Sequence, residues 1–181
     1  MRRRLSRGLN KREISFAQIT KAHHTGLTVS NLDRSIAFYR DILGFEIAFR
    51  WNPRAPYIAE LVGYPTVDLE GAILKIPNSD VFLELLEYRG IPRASVDMAN
   101  GNIGNAHIAF FVDALDPLYA RLTAAGVQSV SRPVTPTIGP NRGGRAVYMI
   151  DPDGFRVELI ETTRTFGEYR PDEEAAKPSC C

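Results

Sequence analysis

Cysteine is almost missing from this 181-residue chain: the two present are Cys180 and Cys181, its last residues. Adjacent terminal cysteines cannot staple a core, and they are too few for a closed thiolate zinc site. They match a prenylation signal of small GTPases, but no GTPase motif accompanies them. An excess of one charge is missing too. A formal net charge of +1 gives no global field to recruit nucleic acid or an anionic membrane. No apolar run in the sequence approaches the ~20 residues that a membrane-spanning helix needs. The cytoplasm is the expected location. Histidine is scarce, with three copies, so the position of each carries weight.

What remains is an ordinary globular balance, with 44% apolar and 24% charged residues, which excludes a disordered chain. Residues 1–20 form a basic extension containing Arg2, Arg3, Arg4, Arg7, Lys11 and Arg12, read as a solvated or dimer-contact arm. Beyond it the sequence repeats itself. His24-Thr-Gly-Leu-Thr-Val29 and His107-Ile-Ala-Phe-Phe-Val112 are alternating strand patterns, each followed by a helical pattern. The first helix starts at an Asn31 cap and stops at Gly44; the second starts at Asp116-Pro117 and stops at Gly126. Three strand patterns follow each helix: 46–51, 71–76 and 81–87 in the first half, then 127–130, 144–150 and 155–161. The predicted fold is α+β, two tandem βαβββ modules (21–90 and 106–163) forming a cupped mixed sheet. A linker (91–105) joins them and a tail (164–181) follows.

Alternation then sorts the polar residues. Glu84 and Glu87 are three apart on one strand and face opposite ways, as do Glu158 and Glu161. His24 opens the first strand of one module and Glu84 lies on its last. His107 and Glu158 hold the same places in the other. A lone strand histidine is ordinarily structural, and a lone strand glutamate ordinarily faces water. Two such pairs in equivalent places point to one divalent metal ion, because two carboxylates on an apolar wall are costly without a cation. Imidazole and carboxylate donors suit Zn, Ni, Co, Mn or Fe. His23 is expected to face the other way, in a structural role.

These stretches, with Asn31-Leu-Asp-Arg-Ser-Ile-Ala-Phe-Tyr-Arg-Asp-Ile-Leu-Gly44 and Asp151-Pro-Asp-Gly-Phe-Arg-Val-Glu-Leu-Ile-Glu161, resemble the vicinal oxygen chelate superfamily over about residues 20–163. Glyoxalase I, methylmalonyl-CoA epimerase, extradiol dioxygenases and bleomycin-resistance proteins belong to it. The resemblance places metal ligands at His24, Glu84, His107 and Glu158. Its lyase and isomerase branches use all four, whereas extradiol dioxygenases hold iron with three. It further implies a homodimer, a small substrate with a carbonyl and a neighbouring oxygen, and enolate chemistry with Glu158 as base and Glu84 as second base or donor. The alternatives are a non-haem Fe(II) extradiol-type dioxygenase and a non-catalytic binding protein.

Two positions depart from the named branches. Bacterial glyoxalase I carries a glutathione-binding arginine where this chain has Thr28. The epimerase's additional base has its nearest counterpart in Glu70. For the pocket wall the candidates are Arg50, Tyr57, Arg142 and Arg145, with Trp51, Arg54 and Tyr64 beside them.

Overall fold

The computed structural model describes residues 18–162, 167 and 169–171. Most of the basic extension and the terminal cysteines lie outside the described residues. The first module comprises β1 (His24–Thr28), α1 (Leu32–Ala37), β2 (Glu46–Trp51), α2 (Pro56–Val62), β3 (Asp68–Lys75) and β4 (Phe82–Arg89). The second comprises β5 (His107–Phe111), α3 (Leu115–Ala124), β6 (Arg145–Ile150) and β7 (Arg156–Glu161). Four strands make one sheet in the order β1-β4-β3-β2, and three make another in the order β5-β7-β6. In each, the first strand runs parallel to the last, which pairs antiparallel with its predecessor.

Asn31 caps α1 by accepting the Arg34 N–H at 2.9 Å. A π-helical turn over Phe38–Ile42 continues α1, and Gly44 closes it at φ 81°. Two local expectations differ. The loop after β2 contains α2, which starts with Pro56 at its first position, as proline's fixed φ allows. The strand expected at 127–130 is reduced to isolated bridges, Ser129 to Met149 and Val134 to Ala146. Pro133 and Pro136 follow this stretch and bracket Val134, and proline cannot donate to a ladder.

Both modules contribute to one core. Leu83 and Leu85 of β4, Val157 and Leu159 of β7, and Leu32, Ile36, Leu115 and Leu122 of the helices share a single buried cluster. Within one chain the sheets therefore meet through their helix-covered faces. Alternation puts the long aliphatic residues of β4 and β7 on the helix side of each sheet, where they join this cluster. Phe45 and Phe110 cross the junction edge to face at 5.3 Å. Tyr39, fully buried, donates its hydroxyl to Asp151 at 3.0 Å. Arg34 adds an ion pair with Asp153 at 2.7 Å, and Ser30 donates to the same carboxylate. The 151–154 turn thus ties the second module to the first helix.

Candidate metal centre

Strand register decides which residues share a face. Glu84 lies opposite Ile73 and Glu158 opposite Tyr148, while Leu85 lies opposite Ala72 and Leu159 opposite Val147 in the core. Glu84 and Glu158 thus occupy the sheet faces turned away from the core. His24 joins Glu84 there, its Nε2 3.2 Å from the carboxylate Oε2, and His107 joins Glu158 at the same 3.2 Å. Gly26 lies between strand partners beside Glu84, where a Cβ would stand 3.6 Å from Oε2.

That spacing suits a cation. Two donors bound to one ion at about 2.1 Å sit roughly 3 Å apart when adjacent in its coordination shell. Each pair therefore offers a ready two-donor bite with nitrogen and oxygen chemistry. Among the described residues, however, no three His, Cys, Asp or Glu side chains converge on one point. The reason lies in the core: the modules share their helix faces, so the two outward faces, and the pairs on them, point away from each other.

The surroundings of the pairs differ. Tyr148 packs edge-on against the His107 ring at 5.3 Å. Burial, reinforced by the Glu158 carboxylate and a hydrogen bond to it, pushes the Tyr148 phenol above its ordinary range. Around Glu84 the same face carries Trp51 over Gly71, and Tyr88, whose phenol is raised by burial and by the nearby Tyr64 and Glu84. Tyr148 is a site residue that motif reading passes over. The tight 151–154 turn sets the β6–β7 register, and counting back from it puts Tyr148 across from Glu158.

The glutamates left over act on the other face. Glu87 Oε2 accepts the Leu32 N–H at 2.8 Å, and Glu161 Oε2 accepts the Leu115 N–H at 2.6 Å. Each caps the first turn of its module's helix, a task that the sequence assigned in α3 to Asp116.

Several pocket candidates move with them. Arg50 lies opposite Ala72 on the helix-covered face, where Asp33 and Glu70 hold it at 2.7 and 2.8 Å. Glu70 faces that side as well, also paired with Arg89 at 2.7 Å, so it stands across the sheet from Glu84 rather than beside it. Arg145 pairs with Asp116 at the start of α3 at 2.7 Å, opposite Glu161. The two-residue period separates all three from the metal-ligand face. Tyr57 sits on α2 with 59% of its surface exposed. Arg142 lies exposed in the 139–144 turn, its backbone N–H donating to the Gly139 carbonyl at 3.1 Å. Thr28 shares the outward face of β1 with His24 by strand parity.

The model of the glyoxalase/bleomycin resistance protein/dioxygenase superfamily matches residues 21–159, both pairs included. The chain belongs to this superfamily. It is similar to a lactoylglutathione lyase of Haemophilus influenzae, with 35% identity over 145 residues, covering 78% of this chain and 93% of the relative. A 2-epi-5-epi-valiolone epimerase of an Actinomyces species is 31% identical over 148 residues, covering 76% of this chain and 77% of the relative. A solved glyoxalase family protein from Bacillus cereus superposes with a TM-score of 0.72 at 20% identity, covering 82% of this chain and 98% of that one, which establishes the shared fold. Among the described residues no helix is long and apolar enough to cross a membrane.

Proposed function

We propose that this superfamily member is a metal-dependent lyase or isomerase acting beside a substrate carbonyl. It works as a homodimer in which His24 and Glu84 of one copy and His107 and Glu158 of another hold one divalent ion. The observation that carries this reading is the pair geometry: two equivalent His/Glu bites of 3.2 Å, each with two donors, turned outward from a common core. A two-donor bite is half of a four-ligand site, and a second copy offers the complementary half. The lyase and the epimerase among the relatives support the reaction class.

When bound, the ion supplies Lewis acidity, worth several kcal/mol toward negative charge developing on a carbonyl oxygen. The chain supplies the proton transfer. Glu158 takes the proton from the carbon beside the carbonyl, and Tyr148 holds that carboxylate in place. Return of the proton to the same carbon on its other face epimerises; return to the neighbouring carbon isomerises. Glu84 provides the second carboxylate for either course. Atoms balance in both cases, with no co-reactant.

The substrate is read as a carbonyl compound with a neighbouring oxygen and without a glutathionyl group. Thr28 offers no charge to a glutathione carboxylate, and Arg50 and Arg145 are engaged on the opposite face.

Subunit complementation tests the reading. His24→Ala and His107→Ala are each expected to abolish uptake of Ni, Co, Zn or Mn. Co-refolding the two variants rebuilds one intact site per mixed dimer and recovers roughly a quarter of wild-type metal and activity. No recovery in a verified mixed dimer counts against the shared site. Oxygen consumption dependent on Fe(II) would redirect the reading to a dioxygenase.

A further inference from the structure

His23 is the one histidine that the site leaves unused, and the structure gives it a neighbour. Its Nδ1 lies 2.6 Å from Nδ1 of His24, so a single hydrogen is shared between the two rings. His23 is itself held twice: its carbonyl accepts the Phe82 N–H at 3.1 Å, and its ring lies against Phe82 at 6.2 Å. Phe82 is the strand partner of His24. The sequence expectation of a histidine turned to the other face is corrected here, because residue 23 precedes the ladder and is not bound by its alternation.

We infer that His23 is a positioning residue for His24, accepting its Nδ1–H and so fixing the tautomer that leaves Nε2 free for a cation. The inference rests on the metal reading above. A neutral imidazole has one bare nitrogen and one N–H. His24 Nε2 is the nitrogen beside Glu84, so a cation there requires it bare and places the ring's hydrogen on Nδ1. The atom within reach of that hydrogen is His23 Nδ1, which then carries its own hydrogen on Nε2. Metal-ligating histidines regularly donate their second N–H to a partner that fixes ring angle and tautomer. The other half of the site is built differently. Ala106 precedes His107, and the His107 ring is braced by the edge of Tyr148. One histidine is thus oriented by a neighbouring acceptor and the other by ring packing.

Three proteins decide the point: wild type, His23→Phe, which keeps a ring against Phe82 but has no acceptor, and His23→Asn, whose amide oxygen replaces Nδ1. Zinc affinity is measured by competition with a chromophoric chelator. The Nδ1–H of His24 is followed in the zinc-loaded proteins by nitrogen-15 NMR. His23→Phe is expected to weaken zinc binding about 10- to 100-fold and to expose the Nδ1–H to rapid exchange. His23→Asn is expected to recover most of the affinity and the protected signal. Equal affinity in wild type and His23→Phe, with the Nδ1–H still protected, overturns the role of His23 alone. A wild-type protein that takes up no zinc, nickel, cobalt or manganese overturns the metal reading and this inference together.

Discussion

Glu84 and Glu87 lie three residues apart on β4 and work on opposite faces of the sheet. Glu84 Oε2 stands 3.2 Å from His24 Nε2, while Glu87 Oε2 accepts the Leu32 N–H at 2.8 Å and is paired with Arg89. Glu158 and Glu161 repeat the division on β7. One glutamate of each pair belongs to the candidate metal centre and the other to helix anchoring, so their substitutions should separate cleanly.

Glu87→Ala is expected to destabilise the protein by about 1–3 kcal/mol, since it leaves the Leu32 N–H and Arg89 without their acceptor. Glu84→Gln should leave the melting temperature of the metal-free protein near wild type and abolish metal uptake. The Arg89 guanidinium outweighs burial and holds the Glu87 carboxyl below its ordinary range. A depressed folded-state value means that the contribution is present above the ordinary glutamate range and fades as pH falls through the folded value. Urea unfolding of wild type and Glu87→Gln should therefore differ at neutral pH and converge in acid. A constant difference down to low pH would contradict the assignment.

Tyr148→Phe removes the hydroxyl hydrogen-bonded to Glu158 but keeps the ring against His107. Turnover is expected to fall on the order of 10- to 100-fold with metal content little changed. Metal analysis beside steady-state kinetics checks this. Unchanged turnover would remove Tyr148 from the proton-transfer machinery.

Asp151 is buried at the junction of the modules, where burial pushes its carboxyl above its ordinary range. A raised folded-state value means that the native protein holds the extra proton. Stability from this group is greatest below the ordinary aspartate range and declines as pH rises through the folded value. Asp151→Asn is expected to flatten that decline, because the amide oxygen still accepts the Asp153 and Phe155 N–H groups and its NH2 donates to Tyr39. Asp151→Ala should cost about 1–3 kcal/mol at any pH by leaving the buried Tyr39 hydroxyl unpaired. Thermal melts across the acid-to-neutral range distinguish the two.

Trp51 is the single tryptophan and lies across Gly71 on the ligand face, where a Cβ at residue 71 would meet its ring at 2.5 Å. Gly71→Ala must displace the indole, so the fluorescence maximum is expected to shift toward that of exposed tryptophan. An unmoved spectrum would place the ring elsewhere.

Much of this was legible in advance because it follows from short-range rules. The two-residue strand period separated Glu84 from Glu87 and Glu158 from Glu161, and the repeat matched His24 with His107. Asn31, Gly44 and Gly126 marked helix ends at which local backbone geometry leaves few choices. Arg50, Glu70 and Arg145 each lie on a strand, one residue out of phase with the ligand face, a parity that their proposal as site candidates did not take into account. Nothing in the sequence around Tyr148 marks it as a site residue, and strand alternation assigns His23 to the wrong face; their partners come from the facing strand and from chain geometry at a strand end.

The sequence alone determined two modules, their α+β class and a matched pair of histidines and glutamates, since hydrophobic period and internal repetition are properties of the chain itself. Only the tertiary structure decided how the modules meet. Burial of Leu83, Leu85, Val157 and Leu159 in one shared core turned the His24–Glu84 and His107–Glu158 faces outward, away from each other. Apolar area sets that outcome, because the largest gain comes from burying the aliphatic helix-side faces together.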